Sequence, residues 1–231
     1  MISTLRDMRR RMLAPYHRAD AVRRLIEYHA HERSLEQVVD WAMNFGGSGY
    51  YRIKSLQIRD EILGLARRVR DLEPRLILEI GTARAGTLLI WSSLAREEVI
   101  SCDLRDLSTA EDLYRQLPPP DSDCRVTLLS GDSHDPAFRA RVESAVAGRQ
   151  VDFLFIDGDH SEAGVEADYE DYRHLVRPGG LIAFHDIVAK QPLSSTRVHP
   201  FWERVKVGKA YEEIVADPDQ TGFGIGVLRV E

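Results

Sequence analysis

"VDFLFIDGDH", residues 151–160, opens with six residues, five of them apolar, and then places Asp157, Gly158, Asp159 and His160 in succession. A run without polar alternation reads as a strand buried on both faces, the usual state of an inner strand in a parallel sheet. Two carboxylates and an imidazole at its end need a reason, and the rest of the chain supplies one.

The same texture recurs in "RLILEIG" (75–81), "EVISCDL" (98–104), "RVTLLSGDS" (125–133) and "GLIAFHDIV" (180–188). Between these runs lie helical patterns at 86–96, 109–117, 136–147 and 162–176. The third is bracketed by Asp135 as N-cap, Pro136 in the first turn and Gly148 beyond the end. The fourth puts Val165, Tyr169, Tyr172 and Val176 on one face, against the sheet. Pro178-Gly179-Gly180 reads as a turn before the fifth strand. "HPFWERVK" (199–206) reads as a short helix, and "AYEEIVAD" and "TGFGIGVLRV" as two last strands. Strand–helix alternation implies right-handed crossovers, so the chain is predicted to form an α/β, doubly wound, mostly parallel seven-stranded sheet of Rossmann-like type with a closing antiparallel strand.

Residues 1–73 read differently, as a helical N-terminal extension ahead of a catalytic domain at 74–231. Ser34-Leu-Glu-Gln37 is a capping-box pattern, and Ile58, Ile62, Leu65, Val69 and Leu72 form a helical stripe stopped by Pro74. "NFGGSGYY" (44–51) marks a loop between them. Trp41, Tyr50 and Tyr51 around it suit core packing or an aromatic lid about equally.

The formal charge of −6 over 231 residues gives nucleic-acid binding no electrostatic support. Residues 1–33 carry eight Arg and four acids, net +4, leaving about −10 elsewhere; the interspersed acids favour a solvated or partner-facing helix. Neither a signal-peptide pattern nor a long apolar run is present, so a cytoplasmic protein without membrane contact is expected. Cys102 and Cys124 lack ligand spacing, and Cys102 reads as a buried, reduced thiol.

Ligands of open parallel sheets bind outside the carboxyl ends of the strands. Those ends carry Glu79-Ile-Gly81-Thr82-Ala-Arg-Ala-Gly86, then Asp103, then Gly131-Asp132-Ser133, then Asp157 to His160, and last His185-Asp186. A dinucleotide site wants G-x-G-x-x-G and no carboxylate beside the pyrophosphate. Here the glycines stand G-x-x-x-x-G with Glu79 two residues before the first, which suits a ligand with a positive centre. Asp103 is placed for the hydroxyls of a ribose, and Asp132 for an exocyclic amine of adenine. S-adenosylmethionine meets all three demands.

"ILEIGTARAG", Asp103, "GDS" and "FIDGDH…RPGGLIAFHD" together resemble a class I S-adenosylmethionine-dependent methyltransferase. More narrowly they are similar to the metal-dependent O-methyltransferase branch, with its catechol-type, antibiotic-sugar and cephalosporin-biosynthesis relatives. The resemblance spans residues 75–188 well and the first 73 weakly; in relatives such helices form lids and dimer contacts, so a homodimer is expected. It implies cofactor binding by Glu79, Gly81, Thr82, Gly86, Asp103, Asp132, Ser133 and Asp157. It also implies a divalent metal, Mg²⁺ or Mn²⁺, on Asp157, His185 and Asp186. Position 185 is usually a carboxylate in relatives; a histidine there favours a borderline metal, or means that His185 does not ligate, or that no metal binds. His160 corresponds to the general base of sugar-modifying relatives. The function implied is O-methylation of a small-molecule hydroxyl, a sugar or natural product (enzyme class 2.1.1). The alternatives are a catechol-type phenol enzyme and a non-catalytic cofactor-binding partner.

Overall fold

A computed structural model describes residues 2–231, with side chains from residue 12 onward, so that of the first arginines only the backbone is described. Three helices come first: α1 (Ile2–His29), α2 (Leu35–Asn44) and α3 (Arg59–Leu72), with a 3₁₀ turn at Gly49–Tyr51. Ser34 caps α2 through the expected reciprocal box, its hydroxyl accepting from Gln37 N–H while Gln37 Oε1 accepts from Ser34 N–H at 3.0 Å. Strands and helices then alternate: β1 (Leu76–Ile80), α4 (Gly86–Ser92), β2 (Glu98–Asp103), α5 (Glu111–Tyr114), β3 (Arg125–Ser130), α6 (Pro136–Val146), β4 (Val151–Ile156), α7 (Glu162–Tyr172) and β5 (Val176–His185). The chain closes with α8 (Val198–Val205), β6 (Tyr211–Ile214) and β7 (Ile225–Arg229).

The seven strands lie in the order β3-β2-β1-β4-β5-β7-β6. Neighbours from β3 to β5 are parallel, and β7 runs antiparallel to both β5 and β6. The winding reverses between β1 and β4, so the topological switch point falls there. Register aligns Ile80 with both Cys102 and Ile156, which brings Gly81, Asp103 and Asp157 to one level of the rim.

Each face of the sheet has its own apolar layer. On one, α1–α4 bury Trp91, Phe153 and Phe155, and the N-terminal helices join this layer directly through residues such as Leu25, Val39 and Ile62. On the other, α6–α8 bury Phe138, Tyr172, Phe184 and Trp202. Among the described residues no helix is long and apolar enough to cross a membrane.

One sequence expectation is corrected here. Pro178-Gly179-Gly180 is not a turn before β5 but lies within it, at a register shift opposite Val151–Phe153. A bulge tolerates the missing proline N–H and admits the glycine pair. Of the two readings left open for Trp41, core packing holds: it packs edge-on against Tyr28 and Phe45 at 5.6 and 5.9 Å. Ser161 caps α7, its hydroxyl accepting from Gly164 N–H.

Candidate active site

At the switch point a cavity of about 620 Å³ opens over the carboxyl ends of the strands. Gly81, Asp103, Asp132, Ser133, Asp157 and His160, expected from the sequence, line it, joined by His134, Leu104 and Ser195. A cavity of similar volume, about 590 Å³, lies apart from the strand ends, between the α1–α2 turn and residues 119–122.

The turn after β1 sets the first wall. Asp157 N–H donates to Ile80 O at 2.8 Å, so the two strand ends meet. A Cβ on Gly81 (φ +108°) would stand 2.1 Å from Asp157 O, so only glycine fits there. Asp103 locks the turn: its Oδ2 accepts from Ala83 N–H at 2.6 Å and its Oδ1 from Arg105 N–H at 2.8 Å. Each oxygen keeps the capacity to accept a further hydrogen bond. Leu104 follows on the rim with 77% of its surface exposed. An apolar side chain so exposed at the mouth of a cavity suits the face of a planar base. Asp132 Oδ1 accepts from His134 N–H at 3.0 Å, and Ser133 O accepts from Tyr172 Oη at 2.7 Å, which fixes the opposite wall.

Three predicted cofactor residues face elsewhere. Glu79 is fully buried on the α4 side of the sheet, where its carboxylate accepts from Trp91 Nε1 at 2.9 Å and Ser101 Oγ at 2.5 Å. Burial pushes its pKa up to about 7, against the opposing hydrogen bonds from Ser101, Thr87 and Trp91. Successive strand residues point to opposite faces, and the one that opens toward the cavity is Ile80. Thr82 is likewise buried, its hydroxyl 2.6 Å from Ser101 Oγ. Gly86 serves packing: a Cβ there would sit 1.9 Å from Ser55 N, because the 53–57 segment crosses directly over the start of α4.

That segment contributes a residue the sequence reading missed. Gln57 Nε2 donates to Asp157 Oδ2 at 2.7 Å, while its Oε1 accepts from Leu56 N–H and the Ser55 hydroxyl. A glutamine just ahead of an amphipathic helix gives no sequence signal of its own.

Asp157, His160, His185 and Asp186 form one cluster. His160 Nδ1 lies 2.5 Å from Asp186 Oδ2, and its Nε2 lies 3.7 Å from Asp157 Oδ1. With the carboxylate accepting, Nδ1 carries the proton and the neutral ring keeps its lone pair on Nε2. The hydrogen bond to Asp186 raises the His160 pKa against the opposing effect of burial. Burial pushes the Asp186 pKa up, but the His160 hydrogen bond and the two imidazoles outweigh it and leave a net lowering. His185 is 6% exposed, with Nδ1 3.1 Å from Asp157 Oδ1 and 3.5 Å from Asp186 Oδ1. Burial disfavours its charged form, yet the two carboxylates prevail and raise its pKa to about 9.

Asp157, His185 and Asp186, the three residues expected to hold a metal, do come together, with His185 Nδ1 between the two carboxylates. Among the described residues no group of three or more His, Cys, Asp and Glu side chains is disposed to hold a metal ion.

Comparison with known proteins agrees with this fold. The family described as "Methyltransferase domain" matches residues 78–187. The MycE methyltransferase of the mycinamycin biosynthetic pathway, solved with Mg and S-adenosylhomocysteine, is 23% identical with a TM-score of 0.50 over 68% of this chain. This chain spans only 40% of the length of that protein. The O-methyltransferase TomG of Streptomyces achromogenes, solved with S-adenosylmethionine, is 15% identical with a TM-score of 0.58, covering 87% of this chain and 91% of its own. An O-methyltransferase from Bacillus cereus, solved with S-adenosylhomocysteine, is 17% identical with a TM-score of 0.53, covering 88% and 94%. Residues 78–187 thus match a methyltransferase domain, and the chain shares its fold with these S-adenosylmethionine-dependent enzymes.

Proposed function

We propose that the chain methylates a hydroxyl of a small polar molecule, using S-adenosylmethionine and His160 as general base. The observation that carries this reading is the His160–Asp186 hydrogen bond, which leaves Nε2 free at the cavity of a methyltransferase domain. Asp103 would take the ribose hydroxyls, Leu104 and residues 131–134 the adenine, and the Gly81 turn the methionyl end. The cofactor supplies an electrophilic methyl on a cationic sulfur.

The protein's own residues do the rest. An alcohol has a pKa far above neutrality and must lose its proton as the new bond forms. Neutral His160 accepts that proton at Nε2, and Asp186 steadies the imidazolium that results. Asp157 faces the same space, and its negative charge favours the sulfonium. Ser195, carried in by the loop after β5 whose Arg197 N–H donates to His160 O, gives the acceptor's wall a polar group. Placement of the hydroxyl against the methyl supplies much of the rate. The chain's own residues carry each of these steps, and none is routed through the divalent metal expected from the sequence.

A basic imidazole suits an aliphatic alcohol better than a phenol, which ionises more easily. The test is calorimetric titration of S-adenosylhomocysteine, followed by assay of sugar and catechol acceptors with wild type and His160→Gln. Micromolar binding and His160-dependent transfer to an alcohol are expected. Failure of the homocysteine analogue to bind overturns the reading. Binding without transfer to any acceptor points to the non-catalytic partner.

A further inference from the structure

The geometry points to Glu61, on the helical extension, as a positioning residue that holds Asp186 in place beside His160. The inference rests on the His160–Asp186 pair of the function proposed above, and its test reads the Asp186 backbone separately from methyl transfer.

Glu61 lies in the first turn of α3 and is fully buried. Its donors all belong to the loop between β6 and β7. Oε1 accepts from Ala216 N–H at 3.0 Å and from Gln220 Nε2 at 2.8 Å, and Oε2 from Gly224 N–H at 2.9 Å. Three donors on two oxygens tie the loop down at its start, its middle and its end. Packing alone would be served by an apolar side chain at this position, without the cost of burying a carboxylate.

The anchored loop in turn grips the segment after β5. Ile187 N–H donates to Gly224 O at 3.3 Å, Val188 N–H to Phe223 O at 3.1 Å, and Gly222 N–H to Lys190 O at 2.5 Å. Asp186 and Phe223 both hold left-handed backbone, at φ +65° and +64°. Residues with side chains keep that conformation when their surroundings fix it, and the paired loops are those surroundings. The backbone angle of Asp186 aims its side chain, whose Oδ2 stands 2.5 Å from His160 Nδ1. Loosening the loop would part that pair. Gln57, four positions before Glu61, donates to Asp157 Oδ2 at 2.7 Å. The start of α3 thus supports both carboxylates of the site, and the helical extension belongs to the catalytic unit.

The experiment is solution NMR on the full chain as wild type, Glu61→Ala and Leu65→Ala, the last a control for lost packing at a buried residue of the same helix. The amide-to-Hα coupling and carbon shifts of Asp186 report its left-handed backbone. Glu61→Ala is expected to change both and to speed amide exchange at Ile187 and Val188, with S-adenosylhomocysteine affinity nearly intact. Leu65→Ala is expected to leave the Asp186 signals as they are. With an alcohol acceptor, kcat of Glu61→Ala should fall by up to about 10²-fold, the cost of a small displacement of reacting groups. A folded Glu61→Ala protein with wild-type Asp186 signals overturns the inference, however far its stability falls, and so do equal changes in both variants. If Glu61→Ala fails to fold, amide exchange in wild type decides: Gly224, Ile187 and Val188 are expected to open together. A Gly224 amide that exchanges while the other two stay protected overturns the coupling. Undiminished transfer by His160→Gln would instead defeat the proposed function and leave the Asp186 result standing.

Discussion

His160 Nδ1 and Asp186 Oδ2 stand 2.5 Å apart, with the histidine on the loop after β4 and the aspartate just past β5. The pair brings the ends of two neighbouring strands to bear on one imidazole. A carboxylate partner raises the histidine pKa, so the base is active only as pH climbs through that raised value. Asp186→Asn removes the negative charge and is expected to lower the His160 pKa, moving the rise of any pH–rate profile toward acid. Ring-proton chemical shifts followed through a pH titration read this without an acceptor; an unmoved His160 midpoint would refute it. His160→Gln should reduce turnover by ~10²- to 10⁴-fold with S-adenosylhomocysteine affinity nearly intact.

Asp103 both shapes the turn after β1 and, on the proposed reading, holds the ribose. Asp103→Asn keeps its size but loses its charge and one acceptor. The predicted result is a roughly 10- to 100-fold weaker S-adenosylhomocysteine affinity, the usual worth of hydrogen bonds to a charged group. Calorimetry measures it directly. An unchanged affinity would place the ribose elsewhere.

Gln57 reaches Asp157 across 100 positions of sequence. Gln57→Leu leaves Asp157 Oδ2 without its donor, whereas Gln57→Glu sets two carboxylates face to face. The second variant should therefore be the less stable, and its deficit should grow between pH 5 and 8 as the new group ionises. Thermal unfolding at both pH values tests the order; a Gln57→Glu protein as stable as Gln57→Leu at pH 8 would mean that the contact carries no weight.

These residues show what the sequence could convey. Buried strands without alternation, and acids at their ends, announced the sheet and its rim, because burial on both faces and the strand-end rule are local in sequence. Asp103, Asp157, His160 and Asp186 were legible for that reason. For Glu79 the motif gives the position but the pleat decides the face: Glu79 turns to Trp91, and one residue along Ile80 opens to the cavity. Gln57 was invisible because its role exists only once the 53–57 segment crosses α4, a contact set by packing among helices far apart in the chain. Gly86 was read for a ligand, yet it is glycine for the sake of that same crossing.

Glycine substitutions separate these reasons. A Cβ at Gly86 meets backbone at 1.9 Å, whereas one at Gly148 meets nothing within 4 Å and bears only the cost of a positive φ. Gly148→Ala is expected to destabilise by about 1 kcal/mol, and Gly86→Ala by about 3 kcal/mol or more, since backbone cannot rotate aside. Chemical denaturation of both variants checks the ranking. Equal losses would show that the 53–57 segment moves away freely.

The last prediction concerns Glu79, buried against Trp91 and Ser101 with a pKa near 7. An unfolded glutamate releases its proton above about pH 4.3, but the folded one holds it until about 7. Between those values the native state binds more protons than the unfolded state, so stability falls as pH rises through that window and stays lower above it. A shift of some two to three pH units corresponds to about 3 kcal/mol. Glu79→Gln cannot ionise, and its amide still accepts from Trp91 or Ser101. It should match or trail wild type at pH 5 and exceed it at pH 8. Thermal melts of both proteins across that range give the answer: stability curves that run parallel would show that Glu79 ionises in the folded protein as readily as in the unfolded chain.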